Sequence, residues 1–462
     1  MSSHNGAVPI NLDRSTADLD VAAIRAHFDF VATGRVPTNN AASTQPPRAL
    51  LDLYRQLTPW YDNVHRGQST ASRRTTELFE NAYDTIAGWL NAPGRNTIAI
   101  FRNTTEAINA VMYMLMTSFR HGDNVVTTMM EHNSNFVPWY GLCNDILPRF
   151  RRRVQCRVAR FDRRTGRLDL DHLATLVDER TKLICCTGAS NFFGTKPDLD
   201  AVRRIADGSG YRQPTGERRS LLLVDAAQLV PTSAVDVRAL DVDYLAFSFH
   251  KMLAPFGVGV LYAKEHLLRQ APPFLYGGDM VAPGQVSPEH VGYHDLPWKY
   301  AAGTPNILGT IVSAQALRLL MDLASIGDAT SNATASVPIS RTAVEAAMAR
   351  IHRHTAELTE RAHGGLSQID GLTVYGPPIG EERTPLLSFN IAGISPFAIA
   401  EDLDTQHVEA RAGCHCATLA HHALRLDPLG SCRLSFYLYN TVEEIDRAVD
   451  AVACAARRLA CR

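Results

Sequence analysis

Apolar positions along the chain follow two rhythms. A period near 3.6 residues runs through DLDVAAIRAHF (18–28), through 68–90 up to the break at NAPGR, through RNTTEAINAVMYML (102–115), through 339–364 and from 441 onward. Each of these predicts an amphipathic helix. Compact apolar runs at NTIAIF (96–101), NVVTTMM (124–130), KLICCTGAS (182–190), SLLLVDAA (220–227), DYLAFSF (243–249) and GVGVLYA (257–263) predict strands buried on both faces. Their alternation with helical segments predicts a largely parallel sheet covered by helices. A small polar stretch, DATSNATASVP (328–338), precedes a strand-rich final third with LTVYG, LLSFNIA, HVEARAG and SCRLSFYLY. That third predicts a separate, smaller α/β domain, with the boundary near 310–340.

Composition narrows the class. A chain of 462 residues exceeds what one hydrophobic core serves, and 45% hydrophobic with 20% charged residues is globular. A formal charge of −1 provides no field to recruit nucleic acid or anionic lipid. No apolar run approaches the roughly 20 residues of a membrane span, and MSSHNGAVPINLDRS lacks the basic-then-apolar order of a signal peptide. The nine cysteines are odd in number and form no C-x-x-C pair. They argue against a disulfide scaffold and a zinc ribbon, and for a reducing cytoplasm. Only five of the 46 basic residues are lysine, which draws attention to each.

Lys251, in SFHKMLAPFGVG, directly follows a predicted strand. Burial there would strip its hydration, lower its pKa and free the amine as a nucleophile for aldehydes; the alternative is a surface lysine in a loop. Asp225 ends the apolar strand SLLLVD, where open α/β sheets bind ligands. It could hold a pyridinium nitrogen protonated, or simply cap the next helix; Gln228 would reach a ring substituent from the same loop. RNTTEA, at a strand-to-helix junction, suits an anion through its free N–H groups and the hydroxyls of Thr104 and Thr105, although Thr there is also a plain cap. Ser248 and His250 are further phosphate donors beside Lys251. His132, in EHNSN, is either structural or a ring that stacks on a flat cofactor and moves a proton.

These pieces fall in a fixed order: TTEA, EHNSN, SNFFGT, VDAAQ, SFHK, AGTPN, RAGCHCA and RLSFYLYN. In that order the chain, from about residue 39 to about 450, resembles the class V aminotransferase family, most closely its cysteine desulfurases and selenocysteine lyases. The resemblance implies the PLP-dependent transferase fold type I, with a mainly parallel seven-stranded sheet. It implies a flexible segment at 1–17, a segment at 18–45 packing with the small domain, a large cofactor-binding domain over 46–325 and a small domain over 326–462 that carries the catalytic cysteine. It also implies pyridoxal 5'-phosphate (PLP) as cofactor. Lys251 would hold it covalently, Asp225 its ring nitrogen, Gln228 its phenolic oxygen, and Thr104, Thr105, Ser248 and His250 its phosphate. His132 would stack on the ring, and Asn191 would contact the substrate or the cofactor oxygen. Arg433, with Arg411, would grip the amino-acid carboxylate, and Thr304 would reach the phosphate of a neighbouring subunit in a homodimer.

Cys416 would take sulfur from L-cysteine as a persulfide and pass it to a sulfur-acceptor protein. Where the family usually has two histidines before this cysteine, the chain has Cys414 and His415. A polar insertion near 206–219 predicts an enlarged surface loop. If the RAGCHCA segment is extended, Cys414 and Cys416 point the same way, and Gly413 lends it backbone freedom. No metal site is expected, because two C-x-C sulfurs lack a partner cluster. Other activities compatible with the resemblance are a C–S or selenocysteine lyase or an epimerase on another amino acid, and a non-catalytic sulfur-relay relative.

Overall fold

The computed structural model describes residues 18–325, 338–378 and 380–460. Residues 1–17, nearly all of the 328–338 stretch and Cys461 lie outside them.

Seven strands form the main sheet: β1 (Ile98–Phe101), β2 (Asn124–Thr128), β3 (Gln155–Ala159), β4 (Thr181–Thr187), β5 (Leu221–Asp225), β6 (Tyr244–Ser248) and β7 (Gly259–Ala263). They lie in the order β1-β7-β6-β5-β4-β2-β3. Only β7 runs antiparallel to its neighbours, so the sheet is the mainly parallel one expected. Successive residues face opposite layers: Ile184 and Cys186 join the core on one face, and Leu183 and Cys185 the core on the other. The continuous apolar runs follow from this two-sided burial. With β7 reversed between β1 and β6, the carboxyl ends of the other strands share one edge, and there the polar residues of the sheet collect.

A hairpin, β8 (Val281–Val286) with β9 (Val291–Tyr293), precedes the final third. There β10 (Leu372–Tyr375), β11 (Leu386–Ile391), β12 (Arg411–Gly413) and β13 (Ser431–Ser435) form an antiparallel sheet in the order β10-β11-β13-β12. The N-terminal stretch bridges to this sheet through Val36 to Val408 and Asn39 to Ser435. Five residues past Asn39, the Thr44 N–H donates to the His250 carbonyl at 2.9 Å. One strap therefore joins the small sheet to the loop of Lys251.

Three expectations change. The helix foreseen over 18–28 is a single turn, Val21–Arg25, followed by a 3-10 turn at Asp29–Thr33. The 206–219 insertion is not purely surface: Tyr211 is buried, and its hydroxyl donates to Asp123 Oδ2 at 3.0 Å. The helix Ile307–Ala324 has the length and mean hydropathy, 1.4, of a membrane span, although no such run was expected. Two-thirds of it is buried in the protein, where it packs against the helices Thr70–Trp89 and Arg48–Leu57, so its apolar surface serves the core.

Candidate active site

A cavity of about 260 Å³ opens at the carboxyl edge of the main sheet. Its wall includes Thr104, Thr105, His132, Asn191, Asp225, Gln228, Ser248, His250, Lys251, Arg411 and Arg433, which the sequence scatters over more than 300 positions. Cys416 stands beside them on the following turn. Thr304 is exposed and outside this cavity.

Lys251 ends a single 3-10 turn after β6. Burial brings its ammonium down to about 8, with Arg433 and Arg411 acting in the same sense and Asp225 opposing them. A substantial share of the amine is then neutral near physiological pH. Asp225, the last residue of β5, is buried, which raises its pKa against the opposing effects of the Ala227 N–H and Lys251. Its Oδ1 accepts from the Ala227 N–H at 3.0 Å, a local turn that fixes the carboxylate rather than capping a helix. Burial pushes His132 to about 4, helped by Lys251, so the ring is neutral. Its Nδ1 accepts from the Ser134 N–H at 3.1 Å, so its one proton resides on Nε2.

At one end of the cavity starts the helix Thr104–Met116, capped by Asn103, whose side chain accepts from the Glu106 N–H. The Thr104 N–H donates to Ser248 Oγ at 2.7 Å, and the two hydroxyls lie 2.6 Å apart. Thr105 Oγ1 pairs likewise with Ser134 Oγ at 2.6 Å. Helix dipole, N–H groups and four hydroxyls converge as an anion site does. β7 lies so close that a Cβ on Gly259 would come within 2.4 Å of the Asn103 carbonyl carbon. Glycine is required there by approach, not by dihedral angle. His250 is also neutral, burial lowering it to about 4, so it offers a hydrogen bond rather than a charge.

At the other end Arg433, on β13, is almost wholly buried at 1% exposure. Its Nη1 donates to the Asn191 carbonyl at 2.7 Å, while Nε and Nη2 have no partner. Burial lowers this guanidinium to about 9, and Arg411 adds to the effect. A buried cation with two unused donors is prepared for an anion.

The Cys416 segment is not extended. The Ala417 N–H closes on the Cys414 carbonyl at 2.7 Å, and the two residues between, His415 and Cys416, have φ of 51° and 57°. This is the φ signature of a type I′ turn, which L residues adopt at about 1–2 kcal/mol each. The turn is held from outside: Asn191 Nδ2 donates to the His415 carbonyl at 2.6 Å and the Asn133 N–H to the Cys416 carbonyl at 2.6 Å. Cys414 therefore does not share a direction with Cys416 by strand alternation; its thiol donates to the Leu429 carbonyl at 3.3 Å. Arg411 Nη2 lies 3.9 Å from Cys416 Sγ, a cation beside the thiol. Among the described residues no cluster of His, Cys, Asp or Glu suits a metal.

Two structural participants escaped sequence reading. Ser134 is the partner of Thr105, and Glu131 is a buried carboxyl that burial raises to about 8. Glu131 accepts from the Thr187 N–H at 2.9 Å and from Asn135 Nδ2 at 2.7 Å, tying β4 to the His132 loop. Both lie inside EHNSN, where the histidine alone attracted notice.

The model of the family "Aminotransferase class-V" matches residues 38–338 and 340–448. The chain is 34% identical over 462 residues to a cysteine desulfurase of Haloferax volcanii, covering 98% of each. It is similar to the solved cysteine desulfurase CsdA of Escherichia coli, with a TM-score of 0.80 and 29% identity, covering 96% of this chain and 100% of that one. Similarity to the apo cysteine desulfurase of Thermococcus onnurineus has a TM-score of 0.82 at 26% identity, covering 96% and 99%. The expected fold class is borne out by these neighbours.

Proposed function

Because this chain belongs to the class V aminotransferase family, we propose that it is a PLP-dependent cysteine desulfurase, converting L-cysteine to L-alanine and retaining the sulfur as a persulfide on Cys416. The donor set fits the cofactor: a half-buried amine lowered to about 8, a fixed buried carboxylate, and a helix start approached so closely that a Cβ on Gly259 would displace it. Bound there, PLP supplies the electron sink that labilises bonds at the substrate α-carbon. Lys251 would hold it, Asp225 would keep its ring nitrogen protonated, Gln228 would bond its phenolic oxygen, and Thr104, Thr105, Ser248 and His250 would take its phosphate. His132, neutral with its proton on Nε2, would stack on the ring and assist proton transfer.

Arg433 orients the substrate carboxylate through its two unused donors, with Arg411 nearby and Asn191 fixing both Arg433 and the His415 carbonyl. Cys416 Sγ would attack the substrate sulfur, forming the S–S bond as the C–S bond breaks; the C–S electron pair stays with the substrate carbon skeleton, which takes up a proton to become alanine. The observation that carries this reading is a cysteine on a strained, tethered turn beside the cavity of Lys251 and Arg433. A homodimer with Thr304 reaching the partner's phosphate, a sulfur-acceptor protein and a reducing cytoplasmic setting complete the proposal. The test is holoenzyme with L-cysteine, following alanine and the mass of the Cys416 peptide. One added sulfur on that peptide, matched to alanine, is expected; alanine released at the wild-type rate by Cys416→Ser sinks it.

A further inference from the structure

Behind the Cys416 turn is a buried chain of three side chains to which the desulfurase reading assigns no task. His421, on the helix Thr418–Leu424, is fully buried against Phe192, the ring centroids 4.1 Å apart. Its Nδ1 lies 2.9 Å from the Ala417 carbonyl, which can only accept, so Nδ1 carries the proton and Nε2 is bare. Ser431 Oγ, 3.0 Å from that Nε2, must donate to it. With its single proton spent, Ser431 Oγ accepts from His415 Nε2, also at 3.0 Å. His415, one of the residues lining the cavity, is thereby left with a bare Nδ1, buried and without a partner.

One backbone carbonyl thus sets the direction of the whole chain. Neutrality of both rings supports it: burial lowers His421, while burial and then Arg433 hold His415 well below the usual histidine range. The chain also braces the strained residues. His415 is itself the first left-handed residue of the turn, and Ala417, which holds His421, closes it.

We propose that the His421–Ser431–His415 chain is a positioning device for the nucleophile, pinning the Cys416 turn and holding an uncharged His415 in the cavity lining. An uncharged ring matters beside two guanidiniums, since a third cation would compete with Arg411 and Arg433 for the substrate carboxylate. Ser431 and His421 touch no reacting atom and act through His415 and the turn.

The inference rests on the desulfurase reading and is tested in holoenzyme. Ser431→Ala removes the middle link and leaves both rings. It should slow single-turnover persulfide formation on Cys416 about tenfold, while KM for L-cysteine stays within twofold because Arg433 is untouched. Ser431→Thr, which keeps the hydroxyl, should restore most of the rate. His421→Asn retains a donor near the Ala417 carbonyl but cannot reach Ser431, and should reproduce the Ser431→Ala defect; it serves in place of that variant if Ser431→Ala does not fold. A persulfide rate within twofold of wild type in either variant, or a loss expressed in KM instead, overturns the positioning role. A wild-type enzyme that forms no persulfide at all overturns the desulfurase reading, and this inference with it.

Discussion

Replacing Gly259 by alanine should uncouple cofactor binding from folding. The added Cβ would lie 2.4, 2.5 and 2.7 Å from the C, Cα and N atoms of Asn103. Ordinary carbon contacts begin near 3.5 Å, so the helix start must retreat by about 1 Å. All three obstacles are backbone, and no rotamer change relieves them. Overpacking of this size costs about 1–3 kcal/mol of stability. The displaced segment carries the Thr104 N–H and hydroxyl that meet Ser248. Loss of one hydrogen bond to a charged phosphate is worth about 1.5–3 kcal/mol, roughly ten- to a hundredfold in affinity. Titrating PLP into the apoenzyme by absorbance, beside a thermal melt, measures both effects. A Gly259→Ala protein that binds PLP as wild type does, with an unchanged melt, refutes the placement of the anion site at this helix.

Lys251→Ala should fold but hold no covalent cofactor; borohydride reduction that labels another lysine in the variant would move the attachment point. Because the neutral amine is the nucleophile and burial brings Lys251 to about 8, PLP attachment to the apoenzyme should accelerate as pH rises through 8. Asp225 raises the Lys251 pKa, so Asp225→Asn should move that midpoint downward and lower turnover roughly a hundredfold; an unchanged or higher midpoint contradicts the pairing. Cys416→Ser should bind L-cysteine yet gain no sulfur, while Cys414→Ser is only partly impaired, as mass spectrometry of the two peptides will read.

The strands that build the floor of the site were legible because burial on both faces leaves uninterrupted apolar runs. β3 was not, because it is an edge strand: Gln155 is exposed and Arg157 half-buried, which dilutes the run to QCRVA. The β8 strand was hidden by Pro283 and Gly284, both breakers in any local reading. Lys251 and Asp225 were legible from position alone, at strand ends. The conformation of the Cys416 segment was not, since Asn133 and Asn191 reach it from more than 200 residues away. An extended segment would have set the two cysteines on one face; tertiary hydrogen bonds instead impose a left-handed turn.

Burial first, and the charge balance of the cavity after it, moves many of its groups from their ordinary protonation. Lys251, Arg411 and Arg433 face one another with Asp225 as the carboxylate on the wall. Burial is the first cause of each downward shift, yet the cations appear among the causes for one another: Arg433 and Arg411 lower Lys251, and Arg411 lowers Arg433. Arg411 and Arg433 help keep both His132 and His415 neutral, and Lys251 adds to the effect on His132. An anion entering the cavity relieves this repulsion, so the cationic field favours the binding of a phosphate or a carboxylate. The imidazoles, lowered first by burial, offer hydrogen bonds rather than charge. Such a wall binds an amino-acid carboxylate and a phosphate together while leaving hydrogen-bonding, not charge, to its histidines.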